Sequence, residues 1–296
     1  MNDTPKPTVT SSDVDRFGGS LNRLTAFSTD PSGGNPAGVW VSTSFPTDQQ
    51  MQDLAAELGY SETVFAIQSG TGQLKARYFS PQAEVSFCGH ATIALGVSIG
   101  AGESSHASYT VETGVGDVKL DVELVDGQLV AALTSVDPSQ RSAPPSVVSE
   151  ALEILDWSEQ DLDPAIPPTI AYAGAHHLVL AVRDRTTLAR LDYDFARLQE
   201  LMLINDLTTL QLVWEQDEHT FHARNPFPVG GVVEDPATGA AAAAFGGYLR
   251  TLRPSMMPID LVIHQGHDMG RPSKIDVQIP TSGGIRVAGS AAQLPD

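Results

Sequence analysis

The chain has 296 residues, 41% of them hydrophobic, and a single cysteine; this length predicts two domains of about 100–150 residues each, and one cysteine excludes an internal disulfide or a multi-cysteine metal site. A net charge of −19 leaves nothing to neutralise phosphates, which argues against nucleic acid and equally against an anionic membrane surface. No apolar run approaches the roughly 18 residues of a membrane span, and the expected compartment is a reducing cytoplasm.

In chain order, residues 1–20 are rich in Pro, Ser, Thr and Asp, lack the apolar core of a secretory signal, and read as a disordered tail. "LTAFST" (24–29) and "AGVWVST" (37–43) read as two strands around the loop "DPSGGNP". "TDQQMQDLAAELG" (47–59) reads as a helix capped by Thr47 or Asp48, with Met51, Leu54, Ala55 and Leu58 on one face and Gly59 ending it. "ETVFAIQS" and "LKARYFS" read as strands around "GTGQ", and "ATIALGVSIGAG" (91–102) as a helix of unusually small residues. Three alternating strands follow as far as residue 134. The polar, proline-rich stretch 135–148 marks a domain boundary, so the expected domains are 21–140 and 141–296, the last strand packing back on the first. The second half predicts a helix near 147–154, a strand over 176–182, a helix over 195–206 and strands near 209–214 and 220–224. A second small-residue helix in "EDPATGAAAAAFGGYLR" comes next, then strands around "LVIHQG" and "KIDVQIP".

The halves share one device: a strand, a Gly- or Pro-containing turn, and an Ala/Gly-rich helix, "CGHATIALG" in one and "DPATGAAAAAFGG" in the other. A helix that is small and apolar all round must be buried, and it suits threading through a curled sheet. The first turn of such a helix carries unpaired N–H groups at the positive end of the macrodipole. Two such starts at an interdomain cleft would bind a carboxylate without lysine or arginine; alternatively both turns are plain caps.

Among titratable residues, Glu62 in "GYSETVFAI" stands at the mouth of a strand, where desolvation would raise its pKa to a value useful for proton transfer, or it is a solvated strand end. His90 sits in a helix first turn, as a structural hydrogen-bonding group or as a catalyst. Asp235 precedes Pro236, which favours an N-cap. "HLVL" after His176 and "HQGH" (264–267) hint at metal, but a His-x-x-His pair on an extended segment points to opposite faces, so no metal is expected.

The blocks "GNPAGV" (34–39), "SETVF" (61–65), "FSPQAEVSFCGHATIALG" (79–96), "GVVEDPATGAAAA" (231–243) and "HQGHDMGRPS" (264–273) together resemble the phenazine-biosynthesis PhzF-like isomerase family of the diaminopimelate epimerase-like superfamily. The resemblance implies an α+β fold of two pseudo-symmetric domains, each a curled barrel-like sheet around a central helix, with the active site between them. It implies isomerisation of a small carboxylate-bearing molecule without cofactor or metal, and a homodimer. It assigns the acid/base to Glu62 and catalytic roles to His90 and Asp235, with Asn35, Gly89, Ala91, Gly239, Ala240, Gln265 and Gly266 binding substrate. The family usually carries a serine where this chain has Ala240, and the stretch before the motif differs, reading "ARNPFP". A non-catalytic acid-binding protein of the same fold is the alternative, and an amino-acid epimerase a further one.

Cys88 stands where diaminopimelate epimerases carry one of two thiols, but the matching position of the second half is Pro236. One-sided proton transfer inverts a stereocentre poorly, so epimerase chemistry is not expected, and Cys88 reads as a small, buried, inert filler at a strand end.

Overall fold

The computed structural model describes residues 17–100 and 106–295. The chain divides into two units, Met1–Leu133 with Ala288–Asp296, and Thr134–Val287.

The first unit runs β1 (Gly19–Ala26), β2 (Asn35–Ser42), α1 (Asp48–Leu58), β3 (Glu62–Gly70), β4 (Gln73–Phe79), β5 (Glu84–Val85), α2 (Gly89–Gly100), β6 (His106–Thr113), β7 (Gly116–Val125) and β8 (Gln128–Thr134), and is completed by β17 (Arg286–Gln293). From β1 the neighbours pair antiparallel with β2, then parallel to β3, antiparallel to β4, parallel to β6 and antiparallel to β7 and β8. Strand β17 pairs with both β1 and β8 and closes a ring of eight. Helix α2 packs against β1, β2, β3 and β7. A Cβ on Gly96 would stand 2.7 Å from Ala131 Cβ, and one on Gly100 would stand 2.6 Å from Val122 Cγ1. Small residues are therefore what lets this helix fit inside the sheet.

Outside the barrel, α1 presents Met51, Leu54, Ala55 and Leu58 to Trp40, Phe65 and Phe79, each large side chain contributing about 1.5–3 kcal/mol by leaving water. Thr47 and Gln50 form a capping box at its start, and Gly59, at φ 64°, ends it in the left-handed region.

The second unit runs β9 (Ser139–Ser142), α3 (Pro145–Ile154), β10 (Thr169–Tyr172), β11 (His176–Val182), α4 (Arg185–Ala189), α5 (Phe195–Ile204), β12 (Thr209–Asp217), β13 (Thr220–Phe227), β14 (Val232–Asp235), α6 (Gly239–Leu252), β15 (Ile259–Gln265) and β16 (Ser273–Ile279). The order β10, β11, β12, β13, β15, β16 repeats the antiparallel, parallel, antiparallel, parallel, antiparallel sequence of the first unit. Strand β9 extends it beside β10, and short β14 pairs with β13, as β5 does with β4. Helix α6 touches β9, β10, β11, β12 and β16. Strands from both ends of the sheet meet one helix, so the sheet curls around it. Gly247 makes this possible, since a Cβ there would fall 2.3 Å from Pro138 Cβ. The fold is thus α+β, two curled sheets of one topology each built around a helix.

Several expectations shift. The expected tail falls largely outside the described residues, but Phe17 packs edge-on against Trp40 at 5.8 Å and Gly19 already opens β1. The expected helix over 91–102 starts two residues earlier, at Gly89, and its residues 101 and 102 lie outside the described ones. The stretch read as a boundary contains β9, whose four side chains are all exposed, so it carried no alternation to read. No helix among the described residues is long and apolar enough to cross a membrane.

Candidate active site

In the first unit, the residues after two loops and the start of α2 converge. Gly34, at φ 68°, leaves room for Ala26 O and Thr25 Oγ1, each 2.5 Å from where its Cβ would be. This lets the chain turn into β2 with Asn35 buried at its first position. Asn35 Oδ1 accepts from Ser61 Oγ at 3.4 Å. Glu62 follows as the first residue of β3, its side chain 16% exposed. Cys88 closes the turn before α2 and is buried. The turn is held from inside the barrel, where Tyr78 Oη meets Thr92 Oγ1 at 2.8 Å and Thr92 Oγ1 donates to Cys88 O at 2.7 Å.

Four polar side chains then form one cluster. Cys88 Sγ donates to Glu62 Oε2 at 3.5 Å and lies 3.2 Å from His90 Nδ1. His90 Nε2 stands 3.3 Å from Ser61 Oγ and 3.5 Å from Glu62 Oε2. Burial pushes the Glu62 carboxyl above its ordinary 4.5, opposed by hydrogen bonds from Ser61 and Cys88. Among the described residues, His90 is the one basic side chain with a nitrogen within 4 Å of the Glu62 carboxylate. Glu62 is therefore no solvated strand end, and Cys88 is more than a filler: it is buried, and its thiol touches both titratable neighbours. Sequence reading missed Ser61 and the contact of Cys88 with Glu62, because these join residues 26 and 29 positions apart. Glu62, Cys88 and His90 also offer ligand atoms within 4.8 Å of one another, close enough to share one ion. Ala91 is buried in the first turn of α2, and Gly89 is half-buried.

In the second unit, Asp235 ends β14, and its Oδ2 accepts from Thr238 Oγ1 at 2.5 Å. Thr238 is the N-cap of α6, so Asp235 holds the capping residue and is not itself the cap. The Thr238 side chain makes no cap hydrogen bond to the first turn of α6, where Gly239 and Ala240 are half-buried. Gln265 is 1% exposed. Its Nε2 donates to Asp235 O at 2.7 Å and Thr238 Oγ1 at 3.0 Å, and its Oε1 accepts from Thr238 N at 3.2 Å. Gly266, at φ 75°, places its backbone where a Cβ would meet Arg271 O at 2.2 Å and Pro236 O at 2.8 Å. Gln265 and Gly266, which the resemblance assigns to substrate, hold the Asp235–Thr238 turn as well. A buried ion pair anchors the same strand: Arg224 Nε and Nη2 donate to Glu234 at 3.0 and 2.5 Å.

The remaining histidines separate. His176 Nδ1 lies 3.1 Å from Asp206 Oδ2. His177 is fully buried and pushed down to about 3 by desolvation. His264 and His267 do not point to opposite faces, since β15 ends at Gln265 and the left-handed Gly266 turns the chain back, leaving the two rings 5.4 Å apart.

The model of the phenazine biosynthesis-like protein family, PhzC-PhzF, matches residues 24–295. An uncharacterized isomerase of Deinococcus radiodurans is 33% identical over 283 residues, 91% of each chain. One from Bacillus subtilis is 26% identical over 90% of this chain and 93% of its own. A predicted epimerase from Pseudomonas aeruginosa has a solved structure with a TM-score of 0.81 at 25% identity, covering 93% of this chain and 96% of that one. A hydroxyproline epimerase from Agrobacterium vitis shares the fold with a TM-score of 0.60 at 12% identity, over 94% and 91% of the two chains. The chain belongs to the phenazine biosynthesis-like PhzC-PhzF family and is an isomerase.

Proposed function

We propose that the protein moves a proton within a small carboxylate-bearing substrate, with Glu62 as the general acid/base. The observation that supports this most is the state of the Glu62 carboxyl: largely desolvated, raised above its ordinary pKa, and faced by neutral donors and one histidine. A carboxyl raised above its ordinary pKa holds a proton better than an exposed one and so can both take a proton and give it back. The C–H bond breaks, the proton passes to a Glu62 oxygen, and the electron pair enters the conjugated system of the substrate. The proton held on Glu62 exchanges with solvent protons before one is delivered to a second carbon as that pair re-forms a C–H bond. No electrons leave, so the reaction needs no redox cofactor.

Ser61 and Cys88 stabilise the carboxylate form by donating to it, and His90 orients or polarises the substrate beside Glu62. The first-turn N–H groups of α2, from Gly89 and Ala91, are fixed donors for the substrate carboxylate. Asp235, Gly239 and Ala240 are assigned to substrate positioning on the family resemblance. With Ala240 in place of serine, the preferred substrate lacks the group that a hydroxyl there would bind.

The test is to identify small acids retained by the purified protein by mass spectrometry, then incubate each with the protein in heavy water. Incorporation of deuterium at carbon supports the reading. Retention of an acid that never exchanges contradicts it and favours a binding protein.

A further inference from the structure

We propose that His222, His264 and His267 bind one divalent zinc-class ion on the outer face of the second unit's sheet. His222 of β13 and His264 of β15 are direct partners in the parallel register, so both side chains leave the same face. That face is the outer one: the alternate residues Phe221 and Ile263 are buried, and the Phe221 ring meets Phe245 of α6 at 5.1 Å. The turn at Gly266 brings in the third ring. The ring centres lie 5.2 Å apart for His222 and His264, 5.4 Å for His264 and His267, and 6.1 Å for His222 and His267. Three imidazoles at tetrahedral corners, with nitrogen–zinc bonds of about 2.0–2.1 Å, put their ring centres about 5 Å apart. The ring nitrogens do not yet meet at one point; ion binding would turn the rings inward, the exposed His267 moving most, and leave a fourth position to solvent.

The surroundings fit a metal ligand. Gln216 Oε1 lies 2.9 Å from His222 Nε2. A carbonyl oxygen can only accept, so this nitrogen carries the proton and Nδ1 keeps its lone pair. Nδ1 is buried without a hydrogen-bond partner, the arrangement in which an outer carbonyl fixes the tautomer of a metal-bound histidine. Of the nearby cations, Arg185 donates through Nη2 to both oxygens of Asp268 at 2.9 and 2.7 Å, and Lys274 pairs with Asp276 at 2.9 Å. Imidazole nitrogens suit Zn²⁺ and its transition-metal neighbours over Mg²⁺ or Ca²⁺. His264 and His267 flank Gln265 and Gly266, so the ion would brace the clamp on the Asp235–Thr238 turn.

The experiment is calorimetric Zn²⁺ titration of untagged protein stripped with chelator. The expected result is one ion per chain, retained in Cys88→Ser and lost in the His264→Ala/His267→Ala double variant. Gln216→Ala should weaken binding about 10- to 100-fold, since it removes only the outer acceptor. Circular dichroism of the chelated variants checks their folding, and His264→Gln alone serves if the double variant does not fold. Unchanged binding in the histidine variants, no stoichiometric binding in the wild type, or loss of binding in Cys88→Ser would each overturn the proposal, the last by moving the ion to the Glu62 cluster.

Discussion

Cys88 Sγ lies 3.5 Å from Glu62 Oε2 and donates to it, so the one thiol of the chain is a hydrogen-bond partner of the residue to which proton transfer is assigned. That bond holds the Glu62 pKa down against the larger effect of burial. In Cys88→Ala the opposing donor is gone and the pKa rises further. The acid limb of the activity profile should therefore move to higher pH, because the base form then appears later. The cost in stability should stay near about 1 kcal/mol, as for a mild truncation. A pH–rate profile superimposable on the wild type would return Cys88 to the role of filler.

The raised Glu62 pKa also sets a sign for stability. A carboxyl whose folded pKa exceeds its unfolded value binds protons better in the native state, so stability falls as pH rises. The loss begins near the ordinary value of 4.5 and is complete above the raised folded pKa. Glu62→Gln removes this term, so urea midpoints from about pH 4 to about pH 7 should show the variant gaining on the wild type with rising pH. A gap that narrows or stays constant over this range contradicts the burial argument.

Gly266→Ala tests the clamp on the Asp235 turn. The substitution meets an unfavourable left-handed φ of 75° and two backbone oxygens, at 2.2 and 2.8 Å. Neither can yield as a flexible side chain does. A loss of about 2–4 kcal/mol is expected, with reduced activity, measured by denaturation and by proton exchange. A thermal midpoint equal to that of the wild type would show that the approach is not tight.

Arg224→Leu should cost about 3–5 kcal/mol, because it strands the buried Glu234 carboxylate; adding Glu234→Leu should recover much of the loss. Chemical denaturation of the two variants distinguishes this from simple loss of packing, which the second substitution would not repair.

Much of this architecture was legible in the sequence. The capping box at Thr47, the apolar face of α1 and the two small-residue helices follow from local chemistry, and α1 begins and ends where that chemistry sets it. The repeat "CGHATIALG" and "DPATGAAAAAFGG" marks the two helices that the sheets enclose. What was illegible depended on neighbours distant in sequence. Ser61 gains its meaning from His90, 29 residues away, and Gln265 from a turn 27 residues before it. His264 and His267 looked divergent because strand periodicity was carried across Gly266, where the backbone reverses.

The most direct test of the account is the rate of deuterium incorporation into a retained acid by wild type and Glu62→Gln, at equal saturation. The variant is nearly isosteric and loses only the titratable group, so binding should persist while exchange falls about 100- to 10,000-fold. Exchange at the wild-type rate in Glu62→Gln would contradict the assignment of Glu62 as the acid/base.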